Sequence, residues 1–149
     1  MTAASAQDVS RGKSLWETKA GCGFCHGWAG DGRGDPRSEG GAPSLRTSAL
    51  TRDQIAEVIQ CGRPGTGMPY HDRFAYTDKR CYEMTAADAG DMLPKRGAQT
   101  LQKAEIEAIA DYLMTKVVGK PQQVSKEECI EFFGSEVNEC RLIAAGVVH

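Results

Sequence analysis

Residues 22–26 read Cys22-Gly23-Phe24-Cys25-His26. Cys-x-x-Cys-His spacing sets two thiols one helical turn apart, where both can add to the two vinyl groups of one haem, and the adjoining imidazole then falls under the iron. Attachment through both edges fixes the ring, so His26 is delivered as the proximal ligand without a separate pocket. A Cys-x-x-Cys pair also serves as a redox dithiol or as half of a zinc site. The dithiol expects a βαβ setting, and no alternating strand pattern is present. The zinc site expects a second close pair, whereas Cys61, Cys81, Cys129 and Cys140 stand singly. Haem attachment is the reading adopted.

Working outward, the motif follows a helical pattern over Asp8 to Lys19, with Val9, Gly12 and Trp16 on one face. From Gly27 to Ser48 the chain is a long loop rich in turn formers: Gly30, Gly32, Gly34, Pro36, Gly40, Gly41 and Pro43. Thr51-x-x-Gln54 matches a capping box and opens a short helix with Ile55, Val58 and Ile59 inward, stopped by Gly62 and Pro64. Gly65-Thr66-Gly67-Met68-Pro69 is irregular, and Tyr70 to Gln99 has no long periodic run beyond a turn of helix capped by Thr85 and Asp88. The clearest helix spans Leu101 to Val118, with Ile106, Ile109, Ala110, Leu113, Met114 and Val117 on one stripe and Gly119 and Pro121 past its end. Ser125-x-x-Glu128 reads as a further capping box, starting a last short helix through Cys129, Phe132 and Phe133. The expected class is all-α.

With the haem motif after the first helix, a Met-Pro loop later and a closing amphipathic helix, the chain resembles the class I monohaem c-type cytochromes over Asp8 to Val118. The resemblance implies a cytochrome c fold with long loops, an inserted ligand-side loop at about 70–99 and a C-terminal extension, 119–149, packed on the 8–118 domain. It also implies one covalent haem c, bound at Cys22, Cys25, His26, Met68 and Pro43, with His26 and Met68 as the metal ligands. Ala42-Pro43-Ser44-Leu45 stands where the family's Gly-Pro-x-Leu turn supplies a Pro carbonyl to the proximal imidazole, a bond that fixes the tautomer and strengthens the donor nitrogen. Met68 is the family-like sixth ligand. Its Gly-rich approach lets backbone lie close to the macrocycle, Pro69 stiffens the loop, and 42 residues separate it from His26, enough to wrap the ring. His71, Met84, Met92 and Met114 compete; Met114, on the apolar stripe, reads as a core residue. Gly12 and Trp16 resemble the pair by which the family's first helix crosses its last, where Ile109, Tyr112 and Leu113 would meet them.

Composition agrees with this expectation. Aromatic residues are 7% of 149 and Gly is frequent at 17, a thin supply of large core side chains that a buried macrocycle would supplement. A formal charge of −2 leaves no basic footprint for nucleic acid. The apolar stretches fall far short of the roughly 20 residues a spanning helix needs. Six cysteines point to an oxidising compartment or a haem or metal site. After haem attachment four remain, and nearest-neighbour closure, Cys61–Cys81 around the Met68 loop and Cys129–Cys140 in the tail, is the simplest of three pairings. Met1–Gln7 reads as the remnant of a removed leader, on the small residues Ala4-Ser5-Ala6, or as a disordered terminus. His149 reads as disordered or left from a tag.

The expected function is periplasmic electron transfer, with iron cycling between Fe(III) and Fe(II), and not enzymatic catalysis. A dehydrogenase or membrane complex would supply the electron and a terminal acceptor would take it. Arg63-x-Gly-x-Gly-Met-Pro resembles ligand loops of cytochromes that serve quinone-cofactor alcohol dehydrogenases, and a monomer is expected. The rivals are a haem subunit of a permanent oxidoreductase complex and a haem enzyme or gas sensor with a labile sixth ligand. Glu127, Glu128, Glu131, Glu136 and Glu139 make the tail acidic, read as a solvated helix face ahead of a surface for a basic partner. Asp31-Gly32-Arg33-Gly34-Asp35 reads as a turn, because the bidentate Glu of a calcium loop is missing.

Overall fold

Each predicted helix forms, and four of them open on side-chain caps, Ser5, Thr51, Thr85 and Ser125. The computed structural model describes residues 4–38 and 41–144, so Met1 to Ala3, Gly40 and His149 lie outside the described residues. Among those described, seven α-helices and one 3₁₀ turn account for the regular structure, with isolated bridges at Tyr70–Arg96 and Cys81–Met84 and no named strand. They form two compact units.

The first unit takes the described part of Met1–Cys22 and Ala49–Lys116. Helix α1 (Ala6–Glu17) starts two residues earlier than its apolar pattern, because the Ser5 hydroxyl accepts the Asp8 N–H and caps it. Helix α3 (Arg52–Cys61) carries the full Thr51/Gln54 capping box and closes on Gly62, whose N–H donates to the Val58 carbonyl. Helix α5 (Lys103–Lys116) crosses α1 at Gly12, where an added Cβ would overlap the Ala108 carbonyl and lie 2.8 Å from Tyr112 Cβ. The close approach buries Trp16, whose ring centroid is 6.1 Å from that of Tyr112, with Ile109 and Leu113 also buried. Asp111 accepts from Arg52 Nε at 2.6 Å, tying α3 to α5.

Met114 departs from the core role expected of it and is 37% exposed. It lies eight positions after Ile106, about 80° around the helix, at the edge of the stripe; the face is filled by Ile106, Ile109, Ala110 and Leu113.

The irregular 70–99 segment is a closed excursion. Tyr70 N–H donates to the Lys95 carbonyl and Gly97 N–H to the Tyr70 carbonyl, so entry and exit are fastened together. Inside it lie α4 (Ala86–Ala89), with its Thr85/Asp88 capping box, and a 3₁₀ turn at Gly90–Met92. The Cys61–Cys81 disulfide holds the excursion to the end of α3, within a buried cluster with Ala75 and Tyr76.

The second unit takes Gly23–Ser48 and, within the described residues, Val117–His149. It holds α2 (Gly23–His26), the glycine-rich loop, α6 (Lys126–Phe133) and α7 (Asn138–Ala144). The Cys129–Cys140 disulfide joins α6 to α7. Helix α7 has no counterpart in the sequence reading: seven residues make about two turns, too short for a helical period to stand out. The Ser125/Glu128 box is only half made. Ser125 accepts the Glu128 N–H, but the Glu128 carboxylate turns to Arg46. A buried guanidinium outbids a backbone N–H that water can serve.

Candidate functional site

The motif segment is placed by backbone bonds on both sides. The Cys22 N–H donates to the Trp16 carbonyl beyond the end of α1. Helix α2 carries Cys25 and His26 in its single turn, and the chain after it folds back so that Gly32 N–H donates to His26 O and Asp35 N–H to Phe24 O. Cys22 and Cys25 are half-buried and stand outside the two disulfides.

His26 is buried, and its Nδ1 lies 3.2 Å from the Pro43 carbonyl. A carbonyl can only accept, so Nδ1 carries the proton and Nε2 keeps a lone pair. Burial pushes the imidazole below its ordinary 6.5, and the Pro43 carbonyl only partly opposes this. The ring is therefore neutral at physiological pH, which a metal-binding imidazole must be.

The Met68 loop rests on the C-terminal end of α3. Arg63 N–H donates to the Met68 carbonyl at 3.2 Å, Thr66 Oγ1 accepts the Met68 N–H at 3.2 Å, and Gly65 N–H donates to Met92 O at 2.8 Å. Two phenols brace the platform from below: Tyr76 donates to the Cys61 carbonyl at 2.6 Å and Tyr82 to the Gly62 carbonyl at 2.7 Å. Burial, with Tyr82 and Tyr70 nearby, pushes the Tyr76 phenol up to about 12, so it keeps the proton it donates. Met68 itself is half-buried.

The competitors are placed differently. His71 is buried, its Nδ1 lies 3.0 Å from the Ile59 carbonyl, and its ring packs so closely on Gly97 that an added Cβ there would lie 2.8 Å from Cδ2 and 3.0 Å from Nε2. Met84 packs against the Cys61–Cys81 cluster, and Met92 is 54% exposed beside Gly65. Asp31 and Asp35 each turn a carboxylate onto the N–H two residues on, of Arg33 and Arg37, closing two turns.

Sequence reading missed Trp28, Arg46 and Gln122. Trp28 lies 5.1 Å and 5.2 Å, between ring centroids, from Phe132 and Phe133. Arg46 is buried, with its guanidinium on Glu128, Pro121 and Ala29, and Gln122 bridges Ser44 and the Asp31 carbonyl. The only signal was an Arg three residues after Pro43 and an acidic tail; nothing local says that they meet.

Compared with known families, the chain matches the model described as "Cytochrome C oxidase, cbb3-type, subunit III" over residues 7–86. The match runs from α1 to the start of α4 and includes Cys22, Cys25, His26, Pro43 and Met68. No curated protein and no solved structure matches the chain.

Proposed function

Because the chain belongs to the cbb3-type cytochrome c family, binds haem c covalently and serves haem-based electron transfer, we propose that it is a monohaem periplasmic carrier with His26 and Met68 on the iron. One-electron ferric/ferrous chemistry is what the bound haem supplies. The residues present fit that group. Cys22 and Cys25 would hold it by thioether bonds, and with the Nδ1 proton on the Pro43 carbonyl the nitrogen of His26 that a metal would take is Nε2.

The observation that carries this reading is the His26–Pro43 hydrogen bond: it selects the tautomer and aims the ring, as a metal-bound histidine requires. For Met68, the support is a loop tied at both its backbone groups and resting on α3, which reduces the entropy lost on ligation. With Nδ1 bonded to the Ile59 carbonyl, the nitrogen of His71 that a metal would use is Nε2, and that edge of the ring packs on Gly97, which favours Met68 over it.

Among the described residues no helix is long and apolar enough to cross a membrane. We assign export from the cysteine usage, since haem thioethers and two disulfides suit an oxidising compartment. The donor would be a dehydrogenase or membrane complex, with a quinone-cofactor alcohol dehydrogenase suggested by the Arg63–Pro69 loop, and the carrier would work as a monomer. The family's description as an oxidase subunit favours a second reading, a permanent place in an oxidoreductase complex.

Mass spectrometry under denaturing conditions should find one haem retained on the Cys22–His26 peptide; haem extracted by acidified organic solvent would overturn the attachment. The oxidised protein should show the weak long-wavelength band of iron–thioether coordination, lost in Met68→Ala and kept in His71→Ala; the reverse pattern moves the ligand. Haem-stained protein eluting from native extract at the size of a larger assembly would select the complex over the carrier.

A further inference from the structure

The Pro43 carbonyl that accepts from His26 belongs to an exposed proline in a loop, yet the residues after it are fastened to the C-terminal segment. Ser44 Oγ donates to Gln122 Oε1 at 2.6 Å, and Gln122 Nε2 donates back to the Asp31 carbonyl at 2.9 Å. Arg46 Nε donates to the Pro121 carbonyl at 2.6 Å, Nη1 to Ala29 O at 3.3 Å, and Nη2 to both oxygens of Glu128 at 2.9 and 2.8 Å. Gly119 N–H donates to the Arg46 carbonyl at 2.9 Å, and Leu45 N–H to Gly30 O at 2.7 Å. Trp28 packs on Phe132 and Phe133, and the Cys129–Cys140 disulfide joins α6 to α7.

The geometry points to a positioning role for this segment: Pro121–Phe133 is a clasp, keyed by Arg46, that sets the direction of the Pro43 carbonyl and so the electron donation of His26. The inference rests on the reading of His26 as the proximal ligand.

A carbonyl's direction is the direction of its peptide plane, and the Pro43–Ser44 plane can turn only if Ser44 and Arg46 move. Proline restricts φ on one side of that plane. On the other, Arg46 is only 1% exposed at its side chain, so its charge must keep its partners or stay uncompensated away from water. The fork fits this work. A guanidinium presents its donors in a fixed plane, and bidentate pairing with Glu128 adds direction to the attraction; a lysine would supply charge without direction. The clasp therefore holds the Pro43 carbonyl aimed at Nδ1–H. A strong acceptor there gives the imidazole partial anionic character, which favours the ferric iron. Loosening the clasp should weaken that bond and shift the couple toward ferrous.

Redox titration of the haem-loaded protein, paired with proton NMR of the His26 Nδ1–H exchange rate, tests this. Ser44→Ala and Gln122→Ala cut the clasp gently and leave Arg46 with Glu128; Arg46→Lys cuts it at the key and carries the greater folding risk. All three should keep covalent haem and the thioether band, speed Nδ1–H exchange, and raise the ferrous fraction at fixed solution potential by roughly three- to tenfold. Ser44→Thr, which keeps the hydroxyl, should restore both readouts. If Ser44→Ala and Gln122→Ala lower the melting temperature but leave potential and exchange unchanged, the segment is merely structural and the inference is wrong. Absence of haem on Cys22 and Cys25 in the unaltered protein is a separate result, which takes down the ligand assignment and the clasp together.

Discussion

Gly62 lies directly beneath Met68: an added Cβ on Gly62 would stand 2.6 Å from the Met68 carbonyl oxygen and 2.8 Å from the Pro69 carbonyl carbon. The same glycine closes α3 at φ 66°, ψ −165°, a region that side chains effectively exclude. One residue thus ends a helix and seats the loop that follows.

Gly62→Ala should therefore act on the loop as well as on stability. The backbone penalty alone is about 1–3 kcal/mol, and relief of the overlap must lift Met68 from α3. The expected outcome is a lower denaturation midpoint and a diminished thioether band, with covalent haem intact. A full band in a destabilised variant would show that the loop does not depend on this seat.

Replacing Cys61 and Cys81 with Ser removes the covalent tie of the 70–99 excursion. On the chain-entropy view, releasing a loop of this size costs roughly 3 kcal/mol. Haem should remain attached, since neither cysteine belongs to the motif, while added imidazole or cyanide should replace the proposed Met68 ligand faster as local opening becomes easier. Unchanged ligand-exchange kinetics would mean that Tyr76 and Tyr82 hold the platform unaided.

At the crossing of α1 and α5, Gly12→Ala puts a methyl into the space of the Ala108 carbonyl. The helices must separate, opening the contacts around Trp16. Overpacking of this kind typically costs about 1–3 kcal/mol, and the backbone on the far side cannot yield as a side chain would, so the upper end is expected. Chemical denaturation checks it. A loss below about 0.5 kcal/mol, in the range of a neutral surface change, would show that the crossing is looser than described.

Glu105 supplies the acid dependence. Burial pushes its carboxyl up, but the Gln102 N–H at 2.9 Å and the Lys19 ammonium at 2.9 Å outweigh it and hold the group below its ordinary 4.5. A carboxyl lowered in the folded state contributes stability above its unfolded value, and the contribution is lost as pH falls from 4.5 through the folded value. Because Lys19 is 38% exposed at its side chain, solvent screens the pair and its worth is about 1 kcal/mol or less. Glu105→Gln should lower stability modestly at pH 7 and flatten the decline below pH 4.5; an unaltered acid limb would place the dependence elsewhere.

Much of this was readable from the chain because it is decided within a turn or two. Thr51 and Gln54, or Thr85 and Asp88, meet whenever their helix forms, and the Cys-x-x-Cys-His run carries its chemistry in five consecutive residues. The disulfides follow from nearness along the chain, 20 and 11 residues apart. At Ser125 and Glu128 the N-cap forms but the return bond of the box does not, because a distant group competes for the carboxylate: Arg46, 82 residues from Glu128. Met114 falls on the apolar stripe by spacing alone, but the face that α5 buries is chosen by its neighbours.

The sequence by itself determined the haem motif and the capped or strongly periodic helices, and it favoured one of three cysteine pairings, since each depends on short-range spacing and on the chemistry of residue types. Only the tertiary structure decided that Gly62 seats Met68, that the His71 ring packs on Gly97, and that the acidic tail closes on Arg46 beside the Pro43 loop. These are meetings of groups whose separation along the chain carries no signal, and a buried charge or a close backbone contact takes its partner from whatever the fold brings within reach.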